Sequence, residues 1–125
     1  MKVYMAHSRL FDYQNELYNP LRQEPFFEKH ELILPHEIKN ITTNTRDFYK
    51  TIDIMIAECS HPSIGLGIEL GWAFDDKKPL FILIKDGNKP SSSLFTIAKD
   101  ITFYKDTKEM IEIIKDIINK NSVAL

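Results

Sequence analysis

The chain of 125 residues is 43% hydrophobic, 11% aromatic and 27% charged, the length and balance of one globular domain over 1–125. Folding at this size buries roughly two-thirds of the unfolded surface, so a core forms without staples. Sixteen Lys and Arg against eighteen Asp and Glu leave a formal charge of −2, which supplies no global field for a nucleic acid polymer or an anionic membrane surface.

The single cysteine, Cys59, excludes an internal disulfide framework, and the amino terminus shows no basic segment followed by a long apolar run. The apolar stretch Pro79 to Ile84 is far short of the roughly twenty residues of a membrane span. A cytoplasmic protein without a membrane partner is the expectation.

Five short apolar runs read as strands in chain order: Val3 to Ala6, Glu31 to Leu34, Ile54 to Ala57, Leu80 to Ile84 and Ile101 to Tyr104. The third and fourth are continuous rather than alternating, as in strands covered on both faces, so a mainly parallel sheet with helices on each side is predicted. Between the first two runs, Asn19-Pro20 divides the segment from Phe11 to Glu28 into two short helices or a helix and a loop. Phe26 and Phe27 are assigned to the core. The last helix carries Met110, Ile113, Ile114, Ile117 and Ile118 on one stripe, with Asp106 and Glu109 at capping-box spacing; its role is packing. Pro90 to Ser93 is too short to be a linker, and no repeat or domain boundary interrupts the chain.

Three of the four glycines fall within Gly65-Leu66-Gly67-Ile68-Glu69-Leu70-Gly71. They follow the third strand and open a helical stretch through Trp72, which predicts a strand-to-helix turn at the ligand-binding edge of an open α/β sheet. Glycine there permits positive φ and close approach of a ligand, while the first N–H groups of the helix form an anion site beside the Ser63 hydroxyl. The third glycine is one residue late for a dinucleotide fingerprint, and Glu69 would oppose a pyrophosphate, so no nicotinamide cofactor is expected. Placed in the first helical turn, Glu69 is expected to stay ionised, favoured by about 0.3 to 1 kcal/mol. Such a carboxylate beside backbone donors suits attack on an electrophilic sugar carbon; the alternative is a charge that only stabilises its helix.

The stretch Ala57-Glu58-Cys59-Ser60-His61-Pro62-Ser63-Ile64-Gly65-Leu66-Gly67-Ile68-Glu69-Leu70-Gly71 resembles the signature of the nucleoside 2-deoxyribosyltransferase superfamily, most of all its deoxynucleoside 5′-monophosphate N-glycosidase branch. The resemblance extends over the first strand with Tyr4 and Ser8, Asp53 before the third strand, and Lys78-Pro79 before the fourth. It implies a Rossmann-like, flavodoxin-like three-layer sandwich with a five-stranded sheet. It further implies that Glu69 attacks C1′ of the sugar to form a covalent glycosyl intermediate, with Tyr4 near that carboxylate. By the same resemblance Ser8 and Ser63, with the Gly65 and Gly67 turn, bind a 5′-phosphate. Ser93 falls where that branch supplies a phosphate-binding serine from a neighbouring subunit, which implies a homodimer or larger homo-oligomer.

The sequence also departs from that pattern. Many relatives carry an aspartate eight residues before the position of Asp53, where it contacts the sugar and helps protonate the departing base; here that residue is Thr45. Asp47 lies about 200° around a helix from it and has capping spacing with Asn44. His7 replaces a glycine after the first strand and can donate a proton near neutral pH or hold a loop. His36, followed by Glu37, points to the same sheet edge and can line a base pocket. Arg9 can pair with a phosphate or lie in solvent; Trp72 can stack on a base or pack against the sheet. Cys59 is assigned to packing rather than to a thiol nucleophile. His30 and His61 have no partners at metal-ligand spacing, so neither a metal nor another cofactor is expected.

Together these features predict an enzyme cleaving the N-glycosidic bond of a nucleoside or nucleoside 5′-monophosphate. Base exchange, with a second nucleobase as acceptor, and a non-catalytic nucleotide-binding module are the alternatives.

Overall fold

A computed structural model describes residues 1–37 and 45–122, with Thr45 described in its backbone alone. Asn44, the suggested capping partner of Asp47, lies outside the described residues.

All five predicted runs are strands: β1 (Lys2–His7), β2 (Glu31–Ile33), β3 (Ile54–Glu58), β4 (Leu80–Lys85) and β5 (Asp100–Tyr104). They form one sheet in the order β2-β1-β3-β4-β5, and every adjacent pair is parallel, as the continuous apolar runs require. The chain leaves β1 toward β2 on one side and returns to β3 on the other. The carboxyl ends of β1 and β3 therefore flank the point where the winding reverses, the usual ligand position in such sheets. At the opposite end, Lys2 N–H donates to Asp53 Oδ2 at 2.7 Å and Asp53 N–H returns to the Lys2 carbonyl at 2.8 Å, fixing the start of β1 against β3. Asp53 thus acts at the edge remote from the winding reversal.

The helices are α1 (Asn19–Gln23), α2 (Thr45–Phe48), α3 (Ile64–Asp75), α4 (Leu94–Ile97) and α5 (Thr107–Ser122), with 3-10 turns at Pro25–Lys29, Pro35–Glu37 and Tyr49–Thr51. Alternating strand residues separate two apolar layers. Met5, Ile56 and Leu83 meet Leu17, Leu21, Ile114 and Ile118 on one face; Ala57 and Ile82 meet Tyr49, Leu66, Leu70 and Leu94 on the other. Each fully buried Leu or Ile contributes about 1.5 to 3 kcal/mol relative to exposure. Cys59 and Phe27 are buried in these layers, and Phe26 packs on their margin. On α5 the stripe includes Ile111, which is more buried than the predicted Ile113. Glu109 N–H donates to Asp106 Oδ1 at 2.8 Å, while Glu109 Oε1 accepts from Lys105 N–H rather than from Asp106.

At Asn19-Pro20 the segment changes from one short helical element to another, with no loop between them. A π turn over Gln14–Tyr18, in which Asn19 N–H reaches the Gln14 carbonyl, runs directly into α1. The wider turn accommodates a proline that has no N–H to donate and would crowd the preceding carbonyls. Among the described residues no helix is long and apolar enough to cross a membrane.

Candidate active site

β3 ends on Glu58, whose carboxylate is almost wholly buried. Glu58 Oε1 accepts from Ser60 N–H at 2.7 Å, and Oε2 accepts from the hydroxyls of Ser60, at 2.8 Å, and Tyr104. Ser60 Oγ in turn accepts from Lys85 N–H at 2.7 Å, so the chain leaving β3 is tied to β4 and β5. This anchored turn delivers Ser63 as the N-cap of α3: its backbone is extended, its Oγ accepts from Leu66 N–H at 3.3 Å and its carbonyl from Gly67 N–H at 3.1 Å. The N–H groups of Ile64 and Gly65 precede the first intrahelical bond and have no partner within the helix.

Two expectations fail here. Gly65, Gly67 and Gly71 lie inside α3 rather than in the turn, and none has positive φ; among the described glycines only Gly87 does. A Cβ at any of the three would meet open space, so neither backbone freedom nor packing demands them; Gly65 lines the cleft described below. With Ile64 as the first helical residue, Glu69 falls in the second turn, beyond the strongest reach of the helix N-terminus. Its carboxyl is pushed up to about 7, because burial outweighs hydrogen bonding from Tyr49 and Tyr4. It is poised between its two forms near neutrality instead of being held firmly as an anion.

Glu69 lies on a cleft of about 640 Å³ at the carboxyl edge of β1 and β3. The cleft brings together Tyr4, His7, Ser8, Arg9, His36, Ser63, Gly65 and Glu69 of the predicted residues, along with Tyr49. Tyr4 and Ser8 share a face because they are four residues apart on an extended chain. Ser8 is buried, and its Oγ accepts from Leu10 N–H at 3.1 Å. Ser8 and Ser63 therefore each accept a backbone N–H, leaving the hydroxyl proton available for an anion. The exposed Arg9 adds positive charge to this end of the cleft. Tyr4 and Tyr49 hydroxyls are 2.8 Å apart, and burial raises both phenols well above their ordinary range, so both remain protonated. Among the described residues lining the cleft, Glu69 is the one carboxylate.

His7 is not poised as a proton donor. Its Nδ1 lies 3.0 Å from the Ser8 carbonyl, which can only accept, and its Nε2 lies 2.7 Å from the Tyr18 hydroxyl. The Tyr18 oxygen also accepts His36 N–H at 3.1 Å. A neutral ring with the proton on Nδ1 satisfies every partner, and burial holds the His7 pKa below its ordinary value. Tyr13 stacks on both His7 and His36, with ring centroids at 4.6 and 4.7 Å, and the two imidazoles are 5.3 Å apart, so the three rings form one cluster. His36 is exposed overall, and its pKa is lowered, first by partial desolvation of the ring, which stacks on Tyr13, and second by Arg9.

Other predicted residues stand outside the cleft. Trp72 packs on Tyr49, with centroids 5.4 Å apart, under the Arg46 guanidinium. It therefore supports a cleft residue from behind and offers no face to a base. Asp47 is exposed and pairs with Lys50 at 3.6 Å. Gly67 and Ser93 line an adjoining groove that shares Ser63 and Leu66 with the cleft. Tyr13, Tyr18 and Tyr49 went unpredicted: the first two flank and end one π turn, the third opens a 3-10 turn, and no apolar periodicity marks either segment.

No family model and no curated protein matches the chain. Solved structures do. The CMP N-glycosidase BcmB of Clostridium botulinum aligns at 22% identity and a TM-score of 0.67, covering 91% of this chain and 98% of that one. A conserved protein of Enterococcus faecalis aligns at 18% and 0.60, over 94% and 98% of the two chains. A 2-deoxyribosyltransferase of Bacillus psychrosaccharolyticus aligns at 18% and 0.57, over 88% and 90%. The chain has the flavodoxin-like α/β fold of these structures, the fold implied by the resemblance around Glu69.

Proposed function

From this fold and the carboxylate at its winding reversal, we propose that the chain cleaves the N-glycosidic bond of a nucleoside or nucleoside 5′-monophosphate. The observation that carries the proposal is the placement of Glu69, beside Tyr4 and Tyr49, on a cleft that also presents Ser8, Ser63, Arg9 and the start of α3. Ionised Glu69 attacks C1′, the bond to the base breaks, and water then releases the sugar from the glycosyl ester. The hydroxyls of Ser8 and Ser63 donate to the 5′-phosphate while the helix N-terminus favours its charge. His36 borders the base, which takes its proton from water, the hydroxyl of that water passing to the sugar when the glycosyl ester is hydrolysed. The names carried by two of the structural neighbours, an N-glycosidase and a deoxyribosyltransferase, support this reaction class.

A homodimer belongs to the same proposal, with Ser93 reaching the neighbouring subunit's phosphate site. Its exposure in a groove beside Ser63, outside the cleft of its own chain, supports that role. The test is release of free base from a panel of nucleosides and monophosphates by the native chain and Glu69→Gln, with and without an added second base. Base release by the native chain and its loss in the variant support the proposal. Products dominated by base exchange would reassign it as a transferase, and ligand binding without turnover in either protein would reassign it as a binding module.

A further inference from the structure

We propose that Tyr49 is a positioning residue for Glu69: its hydroxyl, paired with that of Tyr4, orients the carboxylate toward the sugar. The inference rests on the reading of Glu69 as nucleophile and adds a residue from a segment to which the resemblance assigns a different group. Both hydroxyls are buried and 2.8 Å apart, and both side chains line the cleft together with Glu69. An ionised carboxylate only accepts, and the bond between the hydroxyls uses one proton; whichever phenol donates to the other, one proton remains for Glu69.

The support behind Tyr49 is rigid. Its ring rests against Tyr4 and Trp72, with centroids at 4.8 and 5.4 Å. Trp72 lies beneath Arg46, whose guanidinium bridges Asp75 and Asp76 at the end of α3. The segment bearing Tyr49 is thus clamped to the helix bearing Glu69, which fixes the hydroxyl relative to the carboxylate. From 46–51, Tyr49 is the described side chain that lines the cleft, while Asp47 pairs with Lys50 at the surface. A protonated phenol thus lines the cleft four residues after Thr45, the position to which the resemblance assigns an acidic contact with the sugar.

Titration of the Glu69 carboxyl by carbon NMR in the full chain tests this directly, compared among the native protein, Tyr49→Phe and Tyr4→Phe. The titratable and charged groups lining the cleft with that carboxyl are Tyr4, His7, Arg9, His36 and Tyr49, with Tyr18 bonded to His7. Tyr49→Phe keeps the ring against Trp72 and removes the donor, so the midpoint is expected to rise by about one pH unit. The acid limb of the rate profile should move with it, with kcat reduced on the order of tenfold and KM changed less than about twofold. Tyr4→Phe leaves the Tyr49 donor in place and should move the midpoint less. A midpoint unmoved in Tyr49→Phe, or moved in Tyr4→Phe alone, overturns the proposal while base release by the native chain preserves the reading beneath it. A native chain inactive on every substrate overturns both.

Discussion

The Tyr18 hydroxyl lies 2.7 Å from His7 Nε2 and accepts His36 N–H on its other side, joining α1's approach, the end of β1 and the turn after β2 through one oxygen. His7→Phe deletes the acceptor for that hydroxyl and the donor for the Ser8 carbonyl. A destabilisation of about 2 to 3 kcal/mol is expected for the buried groups left unpaired, read as a lower midpoint in urea unfolding. A stable His7→Phe with a strongly reduced kcat would instead make His7 an acid in the reaction.

Activity and stability should respond to Glu69 in opposite directions. Attack requires the anion, so base release should increase as pH rises through about 7. For stability, the carboxyl titrates near 4.5 when unfolded and about 7 when folded, so between these values the folded chain holds more protons. Its favourable contribution is complete below about 4.5 and is lost as pH rises through 7. Glu69→Gln should accordingly be more stable than native at pH 8, by on the order of 1 to 3 kcal/mol, and equal to it near pH 4. Thermal melts at the two pH values check this; a variant less stable at pH 8 contradicts the burial of the charge.

Ser8 and Ser63 each accept a backbone N–H and retain a proton for an anion. Ser8→Ala and Ser63→Ala should reduce kcat/KM for monophosphates on the order of tenfold while changing nucleosides little. Ser63→Ala also loses its cap, at a cost of about 1 kcal/mol. An equal loss for both substrate classes would remove the serines from the phosphate site.

Glu58 accepts three donors inside the protein, two from Ser60 and one from Tyr104. Glu58→Gln turns an NH₂ toward at least one of those donors, so a loss of about 1 to 3 kcal/mol is expected. The turn it anchors carries Ser63, and KM for a monophosphate should rise as well. Unchanged unfolding would contradict the buried network.

How far the sequence alone reached is plain from particular residues. The strands were legible because two-sided burial leaves continuous apolar runs, as at Ile54–Glu58, and the register then places Tyr4 beside Met55 on neighbouring strands. The motif singled out Glu69 and Ser63, and the resemblance of the first strand singled out Ser8; all three line one cleft. The glycines misled: they suggested a turn, whereas Pro62-Ser63 marks the helix start, one full turn earlier than Glu69 needs to lie in the first turn. That shift converts Glu69 from a dipole-held anion to a carboxyl titrating near neutrality. The sequence leaves His7 open between donating a proton and holding a loop, because its partner Tyr18 is eleven residues away in a π turn that no local pattern announces. Tyr49 was equally hidden, since its meeting with Tyr4 spans 45 residues and depends on the sheet order.

Peptide mass mapping after acid quench of a turnover mixture bears most directly on the role of Glu69. The account predicts a glycosyl mass increment on Glu69 in the native chain, formed as base is released, and neither adduct nor base release in Glu69→Gln. Base released at the native rate by Glu69→Gln, or a glycosyl adduct on another residue, would contradict it.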